Sequence, residues 1–213
     1  MLRENTNIVS DRVTWAVGAV QAGEGAAVAR FVARINALGP LSQASPALRA
    51  RLLEEVKAVA RHVNGSSEAG TASSYDRRVL CEAPGRWSLA AIILRPGQYT
   101  PPHNHSGWGC AVTVQGVERD RRFVHDALGD LMLSSERDYP PGAGYVFNAV
   151  DVHQPVGADP RQVTVALHFL VHDSWRNHTN PDKKFVNGSE NAACEQEIVE
   201  TRKTTERKER RDG

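Results

Sequence analysis

From Tyr75 onward the chain breaks into short β-prone runs, and this succession limits the fold more than any other feature. The runs cover 77–81, 87–94, 109–115, 121–124, 145–148 and 162–171. Pro84-Gly85, Pro96-Gly97, Pro140-Pro141-Gly142 and Asp159-Pro160 separate them. Short strands this closely spaced, with turn residues between, predict a β-sandwich or barrel. The preceding residues follow another period. Val28, Phe31, Val32, Ile35 and Leu38 lie on one helical face, and Gly39-Pro40 stops that helix. Ser45 as N-cap and Pro46 as first helical residue start a second one, with Leu48, Leu52, Leu53, Val56 and Val59 on its apolar face. It is expected to end near Asn64-Gly65, before a small, polar linker loop over 65–74. The expected organisation is a polar leader over 1–24, one domain over 25–186 with helices at about 26–64 and a barrel at about 75–172, and a charged tail over 187–213.

Charge and composition exclude some partners. A formal net charge of +1, with no interleaving of aromatic and basic residues, leaves no electrostatic footprint for nucleic acid. No apolar run approaches the roughly 20 residues of a membrane helix. The start Met1-Leu2-Arg3-Glu4-Asn5 lacks an apolar signal region. Cys81, Cys110 and Cys194 are too few and too far apart for a disulfide framework or a zinc knuckle. A cytoplasmic location is therefore expected, with no nucleic-acid and no membrane partner, and the chain is expected to be a monomer.

The chemistry concentrates in Gly97-Gln98-Tyr99-Thr100-Pro101-Pro102-His103-Asn104-His105. Alternate residues of a strand share a face, so His103 and His105 project together and can chelate one ion. His153, in Asp151-Val152-His153-Gln154-Pro155, is the candidate third ligand from a distant strand. Neutral imidazole suits iron, copper, nickel and zinc alike, so ligand type alone leaves the metal open. A His-x-His pair also arises by chance. Here it is framed by Gly97 six residues before His103, by Gly109 and by Gly116, and is followed by Gly144 nine residues before His153. His125, His172 and His178 have no ligand spacing, and His62 lies near a helix end, where a cation favours the dipole; these four read as structural or surface residues.

The framed pattern resembles the two cupin motifs, with Gly109 where many cupins place a glutamate. The implied fold is mostly β: a cupin barrel (double-stranded β-helix, jelly-roll-like) with the N-terminal helices packed on it. Within the cupins, the run Pro102-His103-Asn104-His105-Ser106-Gly107-Trp108-Gly109, then Gln115-Gly116-Val117-Glu118, then Tyr145 to His153, is similar to the cysteine dioxygenase family of thiol dioxygenases, in its bacterial form. Tyr75-Asp76-Arg77 falls where that family places a substrate-binding Tyr-x-Arg. The resemblance covers about residues 26–172. It implies Fe(II) as cofactor, held by His103, His105 and His153, and addition of O2 to the sulfur of a small carboxylated thiol, cysteine or a related mercapto acid, to give a sulfinate. It further implies catalytic roles for His168 and Tyr75, and substrate contacts from Arg77, Tyr75, Trp108 and Leu170. A guanidinium at Arg77 matches a carboxylate bidentately. The competing reading of Arg77 is a surface strand residue beside Arg78, and that of Trp108 is a core residue. A metal-binding cupin oxygenase or sensor for a different ligand is the competing function.

Two departures from the family matter. Gly109 stands where animal members carry a cysteine that crosslinks to a tyrosine, and Cys110, one residue on, should turn to the other face as a buried apolar residue. The family's Ser-x-His-x-Tyr strand reads Ala166-Leu167-His168-Phe169-Leu170 here. With both hydroxyls gone, that corner is expected to be apolar and roomier. His168 must then satisfy its ring through water, a backbone carbonyl or the substrate, unless Tyr99 or Tyr145 reaches into the same space.

Overall fold

The computed structural model describes residues 14–15, 22–65, 75–172, 182–186 and 189–190. Along these the chain runs β1 (Thr14–Trp15), α1 (Ala22–Asn36), a 3-10 turn (Leu41–Gln43), α2 (Pro46–Ala60), β2 (Asp76–Ala83), β3 (Trp87–Leu94), β4 (His103–His105), β5 (Gly109–Gln115), β6 (Glu118–His125), β7 (Leu131–Tyr139), β8 (Gly144–Phe147), β9 (Val152–Gly157), β10 (Thr164–Val171), β11 (Asp182–Val186) and β12 (Ser189–Glu190). The Ser45 hydroxyl accepts the Leu48 amide at 3.3 Å, so α2 starts where a cap followed by proline predicts.

The strands form two six-stranded sheets, ordered β1-β2-β3-β10-β5-β8 and β12-β11-β4-β9-β6-β7, with antiparallel neighbours throughout. The helices pack on the outer face of the first sheet, and its inner face looks across at the second. This is the mostly β arrangement, two facing antiparallel sheets with N-terminal helices packed on one of them, that the motifs imply.

Strand alternation sorts the two faces of the first sheet. Trp87, Leu89, Ala91 and Ile93 of β3, Cys110 and Val112 of β5, and Val165, Leu167, Phe169 and Val171 of β10 join Phe31, Ile35, Leu52 and Val56 of the helices in one apolar core. Phe31 meets Trp87 and Phe169 edge-on at 6.1 and 5.7 Å between ring centroids. Directly paired residues share a face. The register therefore aligns Val79, Ala90, His168, Ala111 and Tyr145 in one inward row, and Arg77, Ile92, Ala166 and Thr113 in the next.

Several boundaries differ from expectation. The run expected at 121–124 begins at Glu118, three residues earlier, and Thr14–Trp15, within the expected leader, pair with Glu82 and Cys81. Ser189–Glu190, in the expected tail, pair with Val186 and Phe185. β7 was not expected at all. It is a sheet edge whose charged residues pair across to β6 rather than alternating with buried ones: Arg119 grips Asp138 at 2.6 and 3.0 Å, and Arg121 meets Glu136 at 3.3 Å. The linker over 66–74, His178, Cys194 and most of the leader and tail lie outside the described residues.

Candidate metal centre

His103 and His105 leave β4 on one face, as their spacing requires. In the register of β4 with β9, His103 stands directly opposite His153. The three rings converge, with one nitrogen from each inside a cluster no wider than 4.8 Å. The Nε2 atoms of His105 and His153 are 3.0 Å apart. His103 Nδ1 lies 2.8 Å from the Pro101 carbonyl, which directs its Nε2 to the same point. Three imidazoles meeting from two strands can hold one transition-metal ion and leave its remaining positions open.

A hydrogen-bonded shell fixes these rings. His153, fully buried, has its Nδ1 2.9 Å from Asp120 Oδ1. A carboxylate there settles the tautomer and frees Nε2 for a metal. Asp120 is in turn held by Arg122, whose guanidinium also reaches Asp151 at 2.9 Å. Burial lifts the Asp120 carboxyl to about 6, against the pull of Arg122. Burial, then the neighbouring His103 and His105, push His153 well below the usual imidazole range, so it stays neutral and able to ligate. Phe147 lies against His105 and His153, with centroids 5.1 and 4.7 Å away, and walls the centre with apolar surface.

Glycine 109 has a steric reason. A Cβ there would run into the Phe147 ring and the Phe169 carbonyl, so neither cysteine nor any larger residue fits without a shift. Cys110 turns outward into the helix-side core, as alternation predicts. Burial raises its thiol and pushes that of Cys81 up to about 12, so neither is a ready nucleophile.

The other expected site residues separate. Leu170 faces inward beside Ala111, Tyr145 and Phe147. His168 faces inward in the row of Tyr145. Arg77 is exposed on β2, in the next inward row, and Tyr75 is half-buried immediately before that strand. Trp108 does not line this chamber. It sits in the helix-side core at 3% exposure, packs on Phe169, and donates its indole N–H to the Leu41 carbonyl at 2.8 Å. It precedes inward-facing Gly109, and one step along a strand reverses the face. Of the two readings of Trp108 that the sequence leaves open, its burial and its place in this cluster favour the core role.

The corner is apolar at Leu170, as expected, and polar one residue pair away at His168. His168 Nε2 lies 3.1 Å from Glu118 Oε2, and Tyr145 donates its hydroxyl to Glu118 Oε1 at 2.6 Å. Neither water, a backbone carbonyl nor substrate is the partner of that nitrogen. Tyr145 is the hydroxyl that reaches into the space, whereas Tyr99 is 58% exposed. Glu118 and Asp120 were missed as site residues. The available signal was Glu118-Arg119-Asp120-Arg121 directly after Gly116: on a strand, acids two apart share one face and the arginines take the other.

No protein-family model matches the chain. Solved structures similar to it include a cupin superfamily protein from Desulfitobacterium hafniense, at 13% identity over 54% of this chain and 87% of that one, with a TM-score of 0.39. An oxalate oxidase in complex with the substrate analogue glycolate is 18% identical over 56% of this chain and 60% of its own, with a TM-score of 0.41. KdgF from a Halomonas species is 16% identical over 50% and 89%, with a TM-score of 0.38. Among the described residues no helix is long and apolar enough to cross a membrane.

Proposed function

We propose that the chain is a non-haem Fe(II) dioxygenase that adds O2 to the sulfur of a small carboxylated thiol, cysteine or a related mercapto acid, and releases the sulfinate. The observation that carries this reading is the convergence of three imidazoles, His103, His105 and His153, on one point with no carboxylate among them. An Fe(II) ion held there supplies uncompensated positive charge for a thiolate and a redox centre for O2. The remaining work falls to the chain's own residues. Asp120 keeps His153 in the ligating tautomer, while Phe147, Ala111 and Leu170 keep water from the chamber wall. Arg77, on the inward face of β2 and accessible to solvent, suits the carboxylate of an entering thiol.

The test is O2 uptake by the iron-loaded protein with cysteine, 3-mercaptopropionate and cysteamine, with sulfinate identified by mass. Carboxylated thiols should be consumed and His153→Ala should lose both iron and uptake. Loss of a charged hydrogen-bond pair costs about 2–5 kcal/mol, so Arg77→Ala should raise KM for cysteine at least about tenfold while sparing cysteamine. Iron-loaded protein that consumes O2 with no thiol overturns the reading.

A further inference from the structure

Three strands bring a tyrosine, a glutamate and a histidine together beside the metal centre, and none of the three belongs to its ligand set. Glu118 is completely buried, and both of its oxygens are engaged, Oε1 by the Tyr145 hydroxyl at 2.6 Å and Oε2 by His168 Nε2 at 3.1 Å. A buried carboxylate is costly unless its hydrogen bonds are satisfied, so this arrangement is a built feature of the chamber. Tyr145 must be the donor to Glu118, since burial and then the carboxylate itself hold its proton on. With an acceptor facing Nε2, the proton of a neutral His168 sits on that nitrogen and the lone pair is on Nδ1. Nδ1 has no hydrogen-bond partner among the described residues, and the His168 side chain lies in the inward row between Ala90 and Ala111.

We propose that Tyr145 and Glu118 hold His168 as the proton acceptor of the chamber, Glu118 as a positioning residue and His168 as the group that meets the ligand. The ligand class this selects is a weak acid that must shed a proton to dock. The identity of that acid as a thiol rests on the function proposed above. For a thiol, the S–H bond breaks, an N–H bond forms at His168 Nδ1, and the electron pair stays on sulfur. The imidazolium so formed is stabilised by Glu118, and Tyr145 keeps the second carboxylate oxygen from turning away.

Zinc-loaded full-length protein labelled with 15N-histidine tests the tautomer without turnover. The His168 resonance, assigned by its loss in His168→Gln, should report a neutral ring protonated at Nε2. In Glu118→Gln the side-chain amide donates to Nε2, and the proton should move to Nδ1. A wild-type ring protonated at Nδ1, or a tautomer unmoved in Glu118→Gln, overturns the proposal. If Glu118→Gln does not fold, the wild-type tautomer decides alone. In the iron-loaded protein, Glu118→Gln should lower kcat for cysteine by about tenfold or more at unchanged iron content, with KM altered less than about threefold, and Glu118→Asp should restore part of the rate. A switched tautomer with full kcat also overturns it. Absence of any thiol oxidation in the wild type would sink the thiol reading, and the tautomer measurement would still decide the relay.

Discussion

His168 and Phe169 are adjacent in sequence and belong to different parts of the molecule. Phe169 looks out of β10 into a core built with Phe31, Trp87 and Trp108, where its side chain meets only apolar ring surface. His168 looks inward to Glu118, which also accepts the Tyr145 hydroxyl, so the contacts there are hydrogen bonds. The same alternation divides β5 between Cys110 and Ala111. One face of the sheet stabilises the fold by burying area, and the other gives up area to place polar groups at fixed positions. The comparison teaches that the helices are what allow the chamber to be polar: they supply the hydrophobic burial that its inner face lacks.

This division can be broken from either side. The largest effect is expected at Phe169→Ala, which should destabilise the protein by about 3–5 kcal/mol in chemical denaturation while the folded fraction keeps its metal stoichiometry. A fall in metal stoichiometry in the folded fraction would show that the two faces are coupled. On the inner face, Asp120→Asn should weaken metal affinity about 10–100-fold by competition titration, because the tautomer of His153 is no longer held. Equal affinity would mean that the β4–β9 register alone positions the ring. Trp108→Phe should cost about 0.5–1.5 kcal/mol by removing one of the two donors to the Leu41 carbonyl, which keeps the Ala44 amide, and should leave substrate KM unchanged. A shift in KM would return Trp108 to the chamber. The smallest effect belongs to the outer rim of the second sheet. Arg119→Ala removes an exposed pair with Asp138 and should cost under about 1 kcal/mol, less at high salt.

The elements read correctly from sequence are those whose signal is local. Ser45-Pro46 marks a helix start by chemistry confined to a few residues. β3 announces itself as an apolar run because both of its faces are buried. β7 stayed hidden because it buries almost nothing. Its residues are held by partners on β6 that only pairing brings within reach, and the late start assigned to β6 concealed the inward acids Glu118 and Asp120 for the same reason. At Trp108 the sequence left two faces open, and the register of the following Gly109 chose between them.

By itself the sequence determined that the chain forms two helices followed by a β-rich barrel, that His103 and His105 share a face, and that His153 is their candidate third partner. These follow from periods of 3.6 and two residues and from spacing within a motif, which are properties of the chain alone. Only the tertiary structure decided that His153 stands opposite His103, that Asp120 orients it, and that Glu118 links Tyr145 to His168. Those relations join strands 27 to 50 residues apart. No local period encodes them, because strand order and register arise only when the two sheets close on each other.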